Sequence, residues 1–179
     1  MGQLIDDLLI YSRLELRELS ARPVNVRTLV EDLLTERSDE IERRQIQVTV
    51  ELPYKFITCD AEGLAQAMRN LLDNALKFTR ETPEAQIQIS GRRTSKSTLL
   101  WVRDNGVGFD LKYHDRIFEI FQRLYTSDAY PGTGIGLTIV RKVMQRMGGE
   151  AWAESEPGQG ATFYLEFPTE KSHRRESNP

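Results

Sequence analysis

The 179-residue sequence contains one cysteine, two histidines and no long hydrophobic run. A single thiol, Cys59, cannot form an internal disulfide bond, and its place in the apolar stretch 56–59 indicates a buried structural residue. No apolar run approaches the roughly 20 residues that span a bilayer, and the N-terminus does not follow the pattern of a signal peptide. We therefore expect a cytoplasmic segment that makes no membrane contact, although a parent protein could be anchored elsewhere.

Neither sign of charge is in large excess, since 24 basic and 27 acidic residues give a net charge of -3. The C-terminal basic residues Lys171, Arg174 and Arg175 are too few, and too mixed with glutamate, to form a basic arm. Nucleic acid is therefore not an expected partner. A hydrophobic content of 39% and a charged content of 28% are typical of a soluble globular domain.

Residues 3–20 predict a helix with an apolar seam, because apolar side chains recur at spacings of three and four. A helix packed on its own domain and the end of a helical bundle both fit this pattern. The abrupt start of the seam favours the bundle, and Pro23 ends the helix. We assign residues 1–20 to the C-terminal part of a helical hairpin, 21–168 to a globular domain and 169–179 to a disordered polar tail.

The globular part mixes strand and helix patterns without strict alternation, which predicts an α/β fold: a two-layer sandwich of a mixed sheet and about three helices. Asp60 resembles the N-cap of a long helix that ends near Phe78. Residues 109–131 show only a short helix near 117–121, and irregular segments of this length are usually functional. The predicted strands are 24–26, 46–50, 56–59, 87–89, 98–103, 151–154 and 162–167, and the other predicted helices are 29–41 and 135–147.

Asn70 and Asn74 lie four residues apart on the predicted long helix, so both amides face the same side. Amide oxygens are hard, neutral ligands that suit Mg²⁺. Lys77 follows one turn later and could contact a phosphate as a point charge. The same residues also fit the solvated face of an ordinary amphipathic helix.

Asp104 ends a predicted strand and is followed by Gly106 and Gly108. A carboxylate in this position can accept a hydrogen bond from an exocyclic amino group such as that of adenine, and glycines let the backbone approach a flat base. An ordinary turn between two strands fits the same residues.

Gly132, Gly134 and Gly136 lead into the predicted helix 135–147. Backbone amides in such a loop, with a helix N-terminus behind them, form an anion site. The loop matches neither a Walker loop nor the dinucleotide-binding spacing. Each motif is weak alone, but the ordered set predicts an ATP site.

In this order the motifs resemble the ATP-binding domain shared by sensor histidine kinases, DNA gyrase B subunits, MutL proteins and heat-shock chaperones of the Bergerat type. The chain looks most like a sensor histidine kinase over residues 3–168. Residues 118–123 resemble the phenylalanine box of the kinase lid, 4–13 the end of the dimerisation hairpin, and 158–163 the last glycine turn. The pair Tyr130-Pro131 ahead of the glycine loop resembles the same segment of phytochrome-type and related hybrid kinases.

The resemblance implies a role for each motif residue at the phosphates. Asn74 would be the principal Mg²⁺ ligand, with Asn70 in support through water. Lys77 would contact phosphate, and Arg123 would reach the γ-phosphate. The loop around the phosphates would consist of Gly132, Thr133, Gly134, Ile135, Gly136 and Leu137.

The resemblance also implies an adenine pocket. Asp104 would bond the adenine amino group, and Thr162 would assist through water. Phe78 would lie near the base, and Gly106 and Gly108 would shape the pocket around it.

The residue at position 70 distinguishes ATP hydrolysis from phosphoryl transfer among the proteins that share this ATP-binding domain. ATP-hydrolysing members typically carry a glutamate there that activates water, and asparagine cannot act as a general base. We therefore expect ATP to be held for transfer, which depends mainly on positioning and charge neutralisation. The alternatives are a non-kinase ATPase, a regulatory nucleotide-binding module without catalysis, and a serine kinase of the anti-sigma type.

The acceptor of these kinases is a histidine followed by Asp or Glu and then Arg and Pro, on a helix that would precede residue 1. His114 starts a partial match, but Glu119 stands where proline belongs and the segment falls in the lid; His173 lies in the polar tail. We expect the chain to bind ATP and Mg²⁺ without phosphorylating itself. The parent would dimerise through the hairpin and pass phosphate to its histidine and then to a response regulator.

Overall fold

The computed structural model describes residues 2–123 and 130–169. His173 and nearly all of the predicted tail 169–179 lie outside the described residues. The helices are α1 (Gly2–Leu16), α2 (Val26–Thr35), α3 (Ser38–Arg43), α4 (Ala61–Phe78) and α5 (Gly136–Arg146). The strands are β1 (Ala21–Asn25), β2 (Gln47–Glu51), β3 (Phe56–Asp60), β4 (Gln86–Arg93), β5 (Ser97–Asp104), β6 (Glu150–Glu156) and β7 (Gly160–Pro168).

A five-stranded mixed sheet in the order β2-β4-β5-β7-β6 forms one layer. Strands β2 and β4 run parallel, and the other neighbouring pairs are antiparallel. Helix α4 packs against both α2 and α5, and α4 and α5 contact strands of the sheet. This arrangement confirms the predicted α/β sandwich. A separate antiparallel ribbon pairs β1 with β3.

Helix α4 carries the central part of the fold, and its start and its burial follow from its sequence. The Asp60 carboxylate caps the helix by accepting a 2.7 Å hydrogen bond from the Gly63 backbone amide. Apolar side chains at helical spacing face the core, so the polar side chains between them face away. The buried residues of α4 are Gly63, Leu64, Ala67, Met68, Leu71, Leu72, Ala75 and Leu76.

Several predicted boundaries differ from the structure. The predicted helix 29–41 is two helices, α2 and α3, separated near Arg37, whose guanidinium donates to the Leu33 carbonyl oxygen. The N-terminal helix ends at Leu16 rather than at residue 20. Pro23 lies inside β1, where it pairs with Thr58, because a strand of a two-stranded ribbon has a free edge that tolerates a residue without an amide hydrogen. The segment 109–131, which was predicted to be mostly irregular, contains two short 3₁₀ turns, Leu111–Tyr113 and Arg116–Phe118.

Helix α1 packs along α5 and buries only Leu14 among its own residues. Several large apolar side chains of α1 stay exposed, including Ile5 at 59% and Leu16 at 84%. The sequence pattern fitted either a helix packed on its own domain or the end of a helical bundle. The helix contacts the globular part and also presents an apolar face, so it has a feature of each. Among the residues that the structure describes, no helix has the length and apolar character needed to cross a membrane.

Candidate functional site

One cleft of about 310 Å³ brings the three sequence motifs together. Its wall combines the polar face of α4, the end of β5 and the loop that precedes α5. The predicted site residues that line it are Asn70, Asn74, Lys77, Phe78, Asp104, Gly108, Arg123, Gly132, Thr133, Gly134, Gly136 and Leu137. Segments that are far apart in sequence thus converge as the motif order predicts.

Asp104 is the buried acidic group of the cleft, with only 4% of its surface exposed. Burial raises the pKa of its carboxyl group to about 6, although backbone hydrogen bonds from Gly106 and Ala161 act in the opposite direction. The Gly106 amide donates to the carboxylate over 2.8 Å. Apolar side chains of Phe109 and Phe163 line the same part of the cleft. A flat apolar ligand that offers an amino group fits this environment.

The turn after Asp104 requires glycine at two positions. A Cβ atom on Gly106 would overlap the Phe78 carbonyl oxygen, which accepts a 3.2 Å hydrogen bond from the Val107 amide. Gly108 has a φ of 62°, and a Cβ atom there would overlap the Glu156 carbonyl oxygen. The turn is therefore packed directly against the C-terminal end of α4. Gly106 shapes the cleft from behind and does not line it.

The polar face of α4 forms the opposite part of the cleft. The Asn70 side-chain nitrogen is buried and has no hydrogen-bond partner among the described residues. The Lys77 ammonium nitrogen lies 3.0 Å from the point where a Cβ atom of Gly132 would be. Burial lowers the pKa of Lys77, and the neighbouring guanidinium groups of Arg123 and Arg80 lower it further.

These features fit a nucleoside triphosphate with a divalent cation. The orphaned amide nitrogen of Asn70 needs an acceptor, which a phosphate oxygen or a bound water supplies. The clustered positive charges of Lys77, Arg80 and Arg123 favour an anion in the same place. The amide oxygens of Asn70 and Asn74 are of the type that Mg²⁺ prefers.

The lid segment contacts the glycine loop. The Phe121 amide donates to the Gly134 carbonyl oxygen over 2.9 Å, and Gly134 has a φ of 75°. The Arg123 guanidinium donates to the Tyr130 carbonyl oxygen over 3.2 Å. The Tyr130 ring lies 5.5 Å from the Phe78 ring, measured between centroids. The predicted phenylalanine box thus lies against the glycine loop 132–137, and residues 124–129 are outside the described part.

Besides Gly106, two predicted site residues do not bring their side chains into the cleft. Thr162 follows Ala161 on β7, and successive side chains of a strand point to opposite faces. Ala161 and Phe163 line the cleft, whereas Thr162 contacts the Tyr164 hydroxyl on the other face of the sheet. Ile135 is fully buried in the core, so only its backbone can serve the loop. The structure therefore does not support an adenine contact through the Thr162 side chain.

The cleft also contains residues that the motifs did not predict. Asp73 lies on α4 and Arg80 in the turn just after it, and their spacing of three residues from Asn70 and Lys77 could have identified them. Gln3 and Asp7 come from α1, for which the sequence offers no signal, because the contact joins segments more than 100 residues apart.

His114 lies between the two 3₁₀ turns of the lid. Its Nδ1 atom donates to the Leu111 carbonyl oxygen over 2.7 Å, and its side chain is 53% exposed. His114 does not line the cleft. These contacts are those of a surface histidine that stabilises a local turn.

Comparison with known proteins gives one family and several relatives. Residues 59–171 match the family described as histidine kinase-, DNA gyrase B-, and HSP90-like ATPase. The chain is 37% identical over 178 residues to cyanobacterial phytochrome A of Nostoc sp. (strain PCC 7120 / SAG 25.82 / UTEX 2576), covering 99% of this chain and 23% of that protein. It is 31% identical over 172 residues to the adaptive-response sensory kinase SasA of Thermosynechococcus vestitus (strain NIES-2133 / IAM M-273 / BP-1), covering 94% of this chain and 45% of SasA. The chain thus spans less than half the length of these relatives.

Solved structures give the same fold. Full-length ShkA in complex with AMPPNP has a TM-score of 0.80 and 29% identity, with 92% of this chain and 35% of that chain covered. Histidine kinase ThkA in complex with the response regulator protein TrrA has a TM-score of 0.74 over 93% of this chain and 46% of ThkA. At 21% identity, the likeness to ThkA concerns the fold.

Proposed function

The chain belongs to the histidine kinase-, DNA gyrase B-, and HSP90-like ATPase family, and from this we propose that it binds ATP with Mg²⁺ and donates the γ-phosphoryl group to a histidine. Within the family it is a histidine kinase catalytic domain, since its relatives include sensory kinases and its fold matches histidine kinase domains. Asn70, Asn74 and Lys77 would serve the phosphates and the metal. Asp104 would select the base.

The observation that carries the proposal is the buried Asp104 carboxylate, which faces the part of the cleft lined by the apolar side chains of Phe109 and Phe163. Adenine offers an exocyclic amino group at the position where guanine has a carbonyl oxygen. A carboxylate accepts from the first and repels the second, so the site favours ATP over GTP. Phe78 and Tyr130 supply ring surface beside it.

The amide at position 70 supports transfer rather than hydrolysis. Asn70 cannot remove a proton from water. Lys77, Arg80 and Arg123 gather positive charge beside the glycine loop, where phosphoryl transfer needs charge neutralisation. Bound Mg²⁺ would neutralise further phosphate charge, with Asn74 as its principal protein ligand and Asn70 in support.

The proposal includes the partners of the parent protein. Phosphate would pass from the accepting histidine to an aspartate of a response regulator, and the parent would dimerise through the hairpin to which α1 contributes. It would act in the cytoplasm, where ATP is available. His114 is a poor acceptor because it lies outside the cleft and serves a lid turn. This chain alone would therefore not phosphorylate itself.

Calorimetric titration tests the nucleotide site. Wild type and Asp104→Ala would be titrated with ATP and with GTP, each with and without Mg²⁺. We expect the wild type to bind ATP, more tightly with Mg²⁺, and to ignore GTP, while Asp104→Ala loses at least tenfold in affinity. Asp32→Ala, which removes an exposed carboxylate from α2, is the matched control. Equal binding of ATP and GTP, or of ATP by Asp104→Ala and wild type, contradicts the assignment.

A labelling experiment tests the acceptor. The chain would be incubated with ATP labelled at the γ-phosphorus, alone and with a histidine-bearing hairpin of a sensory kinase. We expect acid-labile label on the hairpin and none on the chain. Acid-labile label on the chain itself, lost in His114→Ala, would show that the acceptor lies here.

A further inference from the structure

A carboxylate from α1 reaches the phosphate loop. The Thr133 hydroxyl donates to the Asp7 carboxylate over 2.5 Å, although the two residues are 126 positions apart. Asp7 and Gln3 line the same cleft as Gly132 and Gly134. Helix α1 thus closes one side of the candidate nucleotide site with a negatively charged group.

This position suits an anion, and a phosphate oxygen would compete for it. The glycine loop, the N-terminus of α5 and Lys77 all favour negative charge at this place. An Asp carboxylate and a phosphate group accept hydrogen bonds from the same donors. Two anions cannot occupy neighbouring positions without repulsion.

We propose that Asp7 is an intramolecular competitor of the ATP phosphates, so that docking of α1 on the glycine loop and binding of ATP oppose each other. The inference rests on the proposed function, because it requires phosphates in this cleft. By thermodynamic reciprocity, ATP weakens the docking of α1 by the same factor by which docked α1 weakens ATP.

The contacts of α1 are weak enough to let the helix move away from the glycine loop. Leu14 is its only fully buried residue, and Ile10 and Tyr11 are partly buried against the core, so modest apolar burial holds it. Polar contacts near its C-terminal end supplement this packing. Lys142 pairs with Glu15 over 2.7 Å, and Arg146 donates to the carbonyl oxygens of Leu14 and Arg17. Exposed and partly exposed ion pairs contribute little to stability.

The far end of α1 is anchored more firmly. The Asp60 carboxylate is buried and accepts from Arg17, from the Ser20 amide and from the Gly63 amide. Asp7 lies ten residues before Arg17, which is about 15 Å along a helix. The Asp7 end can therefore swing away from the loop while the Asp60 contacts keep the helix attached.

Helix α1 provides a matched control at the neighbouring position. Asp6 carries the same charge and is exposed, and its side chain makes no hydrogen bond or ion pair with the described residues. Asp7→Ala and Asp6→Ala would each be titrated with ATP and Mg²⁺ and, separately, with adenosine. We expect Asp7→Ala to bind ATP about fivefold or more tightly than wild type. Asp6→Ala should stay within twofold of wild type, and adenosine affinity should not change in either variant.

Hydrogen exchange of the α1 backbone amides gives a second readout. In wild type we expect faster exchange around Asp7 when ATP is added. In Asp7→Ala the same amides should already exchange faster without nucleotide.

The outcomes separate this inference from the proposed function. Equal ATP affinity of wild type, Asp6→Ala and Asp7→Ala overturns the competition and leaves ATP binding intact. Weaker binding by Asp7→Ala also overturns it, because Asp7 would then assist the nucleotide. Binding of ATP by none of the proteins overturns both. Equal gains in Asp6→Ala and Asp7→Ala would reduce the effect to general charge and likewise refute the contact.

Discussion

The Asp104 carboxylate and the Gly106 amide are joined by a 2.8 Å hydrogen bond within two residues. This bond closes the turn that holds Gly106 against the carbonyl of Phe78. The carboxylate can still accept a further hydrogen bond from a ligand in the cleft, since the two backbone amides of Gly106 and Ala161 do not saturate its two oxygens. The same buried group therefore shapes the turn and offers an acceptor to a ligand.

Binding of ATP should weaken in acid. Burial raises the pKa of Asp104 to about 6 in the free protein, and only the ionised carboxylate accepts from the adenine amino group. Below pH 6 the affinity should fall by up to tenfold for each pH unit. Calorimetry between pH 5 and 8 measures this change. An affinity in wild type that is flat across the range contradicts the role of Asp104.

The same pKa predicts that Asp104→Asn stabilises the protein without nucleotide at high pH. Because the folded pKa lies above the unfolded value, the acid form contributes stability that is complete below about pH 4 and is lost as the pH rises through 6. At pH 8 the variant should therefore be more stable by on the order of 1–3 kcal/mol, and at pH 4 equal to wild type. Urea unfolding at both pH values measures the difference.

Asp60 supplies a control of opposite sign. Burial acts to raise its pKa, but hydrogen bonds from Arg17, Ser20 and Gly63 outweigh burial and lower it. Its contribution to stability is present above the unfolded pKa and is lost as the pH falls through the folded pKa. Asp60→Asn should therefore destabilise the protein at pH 8. If both variants shift stability in the same direction at pH 8, the two environments have been misjudged.

Asn74→Ala should remove the benefit of Mg²⁺. The side-chain oxygen is the proposed metal ligand, so ATP affinity in Mg²⁺ should fall about tenfold, or about 1.4 kcal/mol. Affinity without Mg²⁺ should stay close to that of wild type. Gln66→Ala is the control, because Gln66 is an amide on the same helix that contacts Arg69 and does not line the cleft. A similar loss with and without the metal would point to a packing defect.

Lys77→Ala should distinguish phosphate from base recognition. Loss of a charged hydrogen-bond donor costs about 1.5–3 kcal/mol, so ATP affinity should fall roughly ten- to a hundredfold while adenosine affinity changes little. Lys55 is a suitable control, since its ammonium lies over the Phe56 ring as that of Lys77 lies over Phe78, but away from this cleft. Titration of both variants with ATP and adenosine gives the comparison, and a matching loss of adenosine affinity would count against a phosphate role.

The part of the site that local sequence determines was predictable. Local sequence specifies the helix cap at Asp60, the buried face of α4 and the geometry of the three glycine or amide motifs. The family resemblance then predicted that these motifs belong to one site. The register of β7 was not fixed in the same way, because a shift of one residue moves a side chain to the other face. The family resemblance implies Thr162, whereas Ala161 and Phe163 are the β7 residues that line the cleft. The contact of Asp7 with Thr133 depends on tertiary docking, which no local pattern encodes.

Arg44 shows a second long-range contact of this kind, and it leads to a prediction about the site's support. Its guanidinium donates to the Leu76 carbonyl oxygen over 2.7 Å and to the Thr79 hydroxyl over 3.0 Å. These bonds satisfy the C-terminal end of α4, the end that carries Lys77 and Phe78, where helix carbonyls lack partners within the helix.

Arg44→Ala should therefore lower the free energy of unfolding by about 1–3 kcal/mol, because the Leu76 carbonyl oxygen then keeps only the longer 3.3 Å bond from the Thr79 hydroxyl. Arg44→Lys should recover only part of this loss, since one ammonium cannot reproduce two donors fixed in a plane. Arg43→Ala, at an exposed position of α3, should change stability by less than about 0.5 kcal/mol. Urea unfolding of the three variants measures the series. If Arg44→Ala and Arg43→Ala are equally stable, the guanidinium bonds to α4 do not hold the helix end, and Lys77 must be positioned by α4 alone.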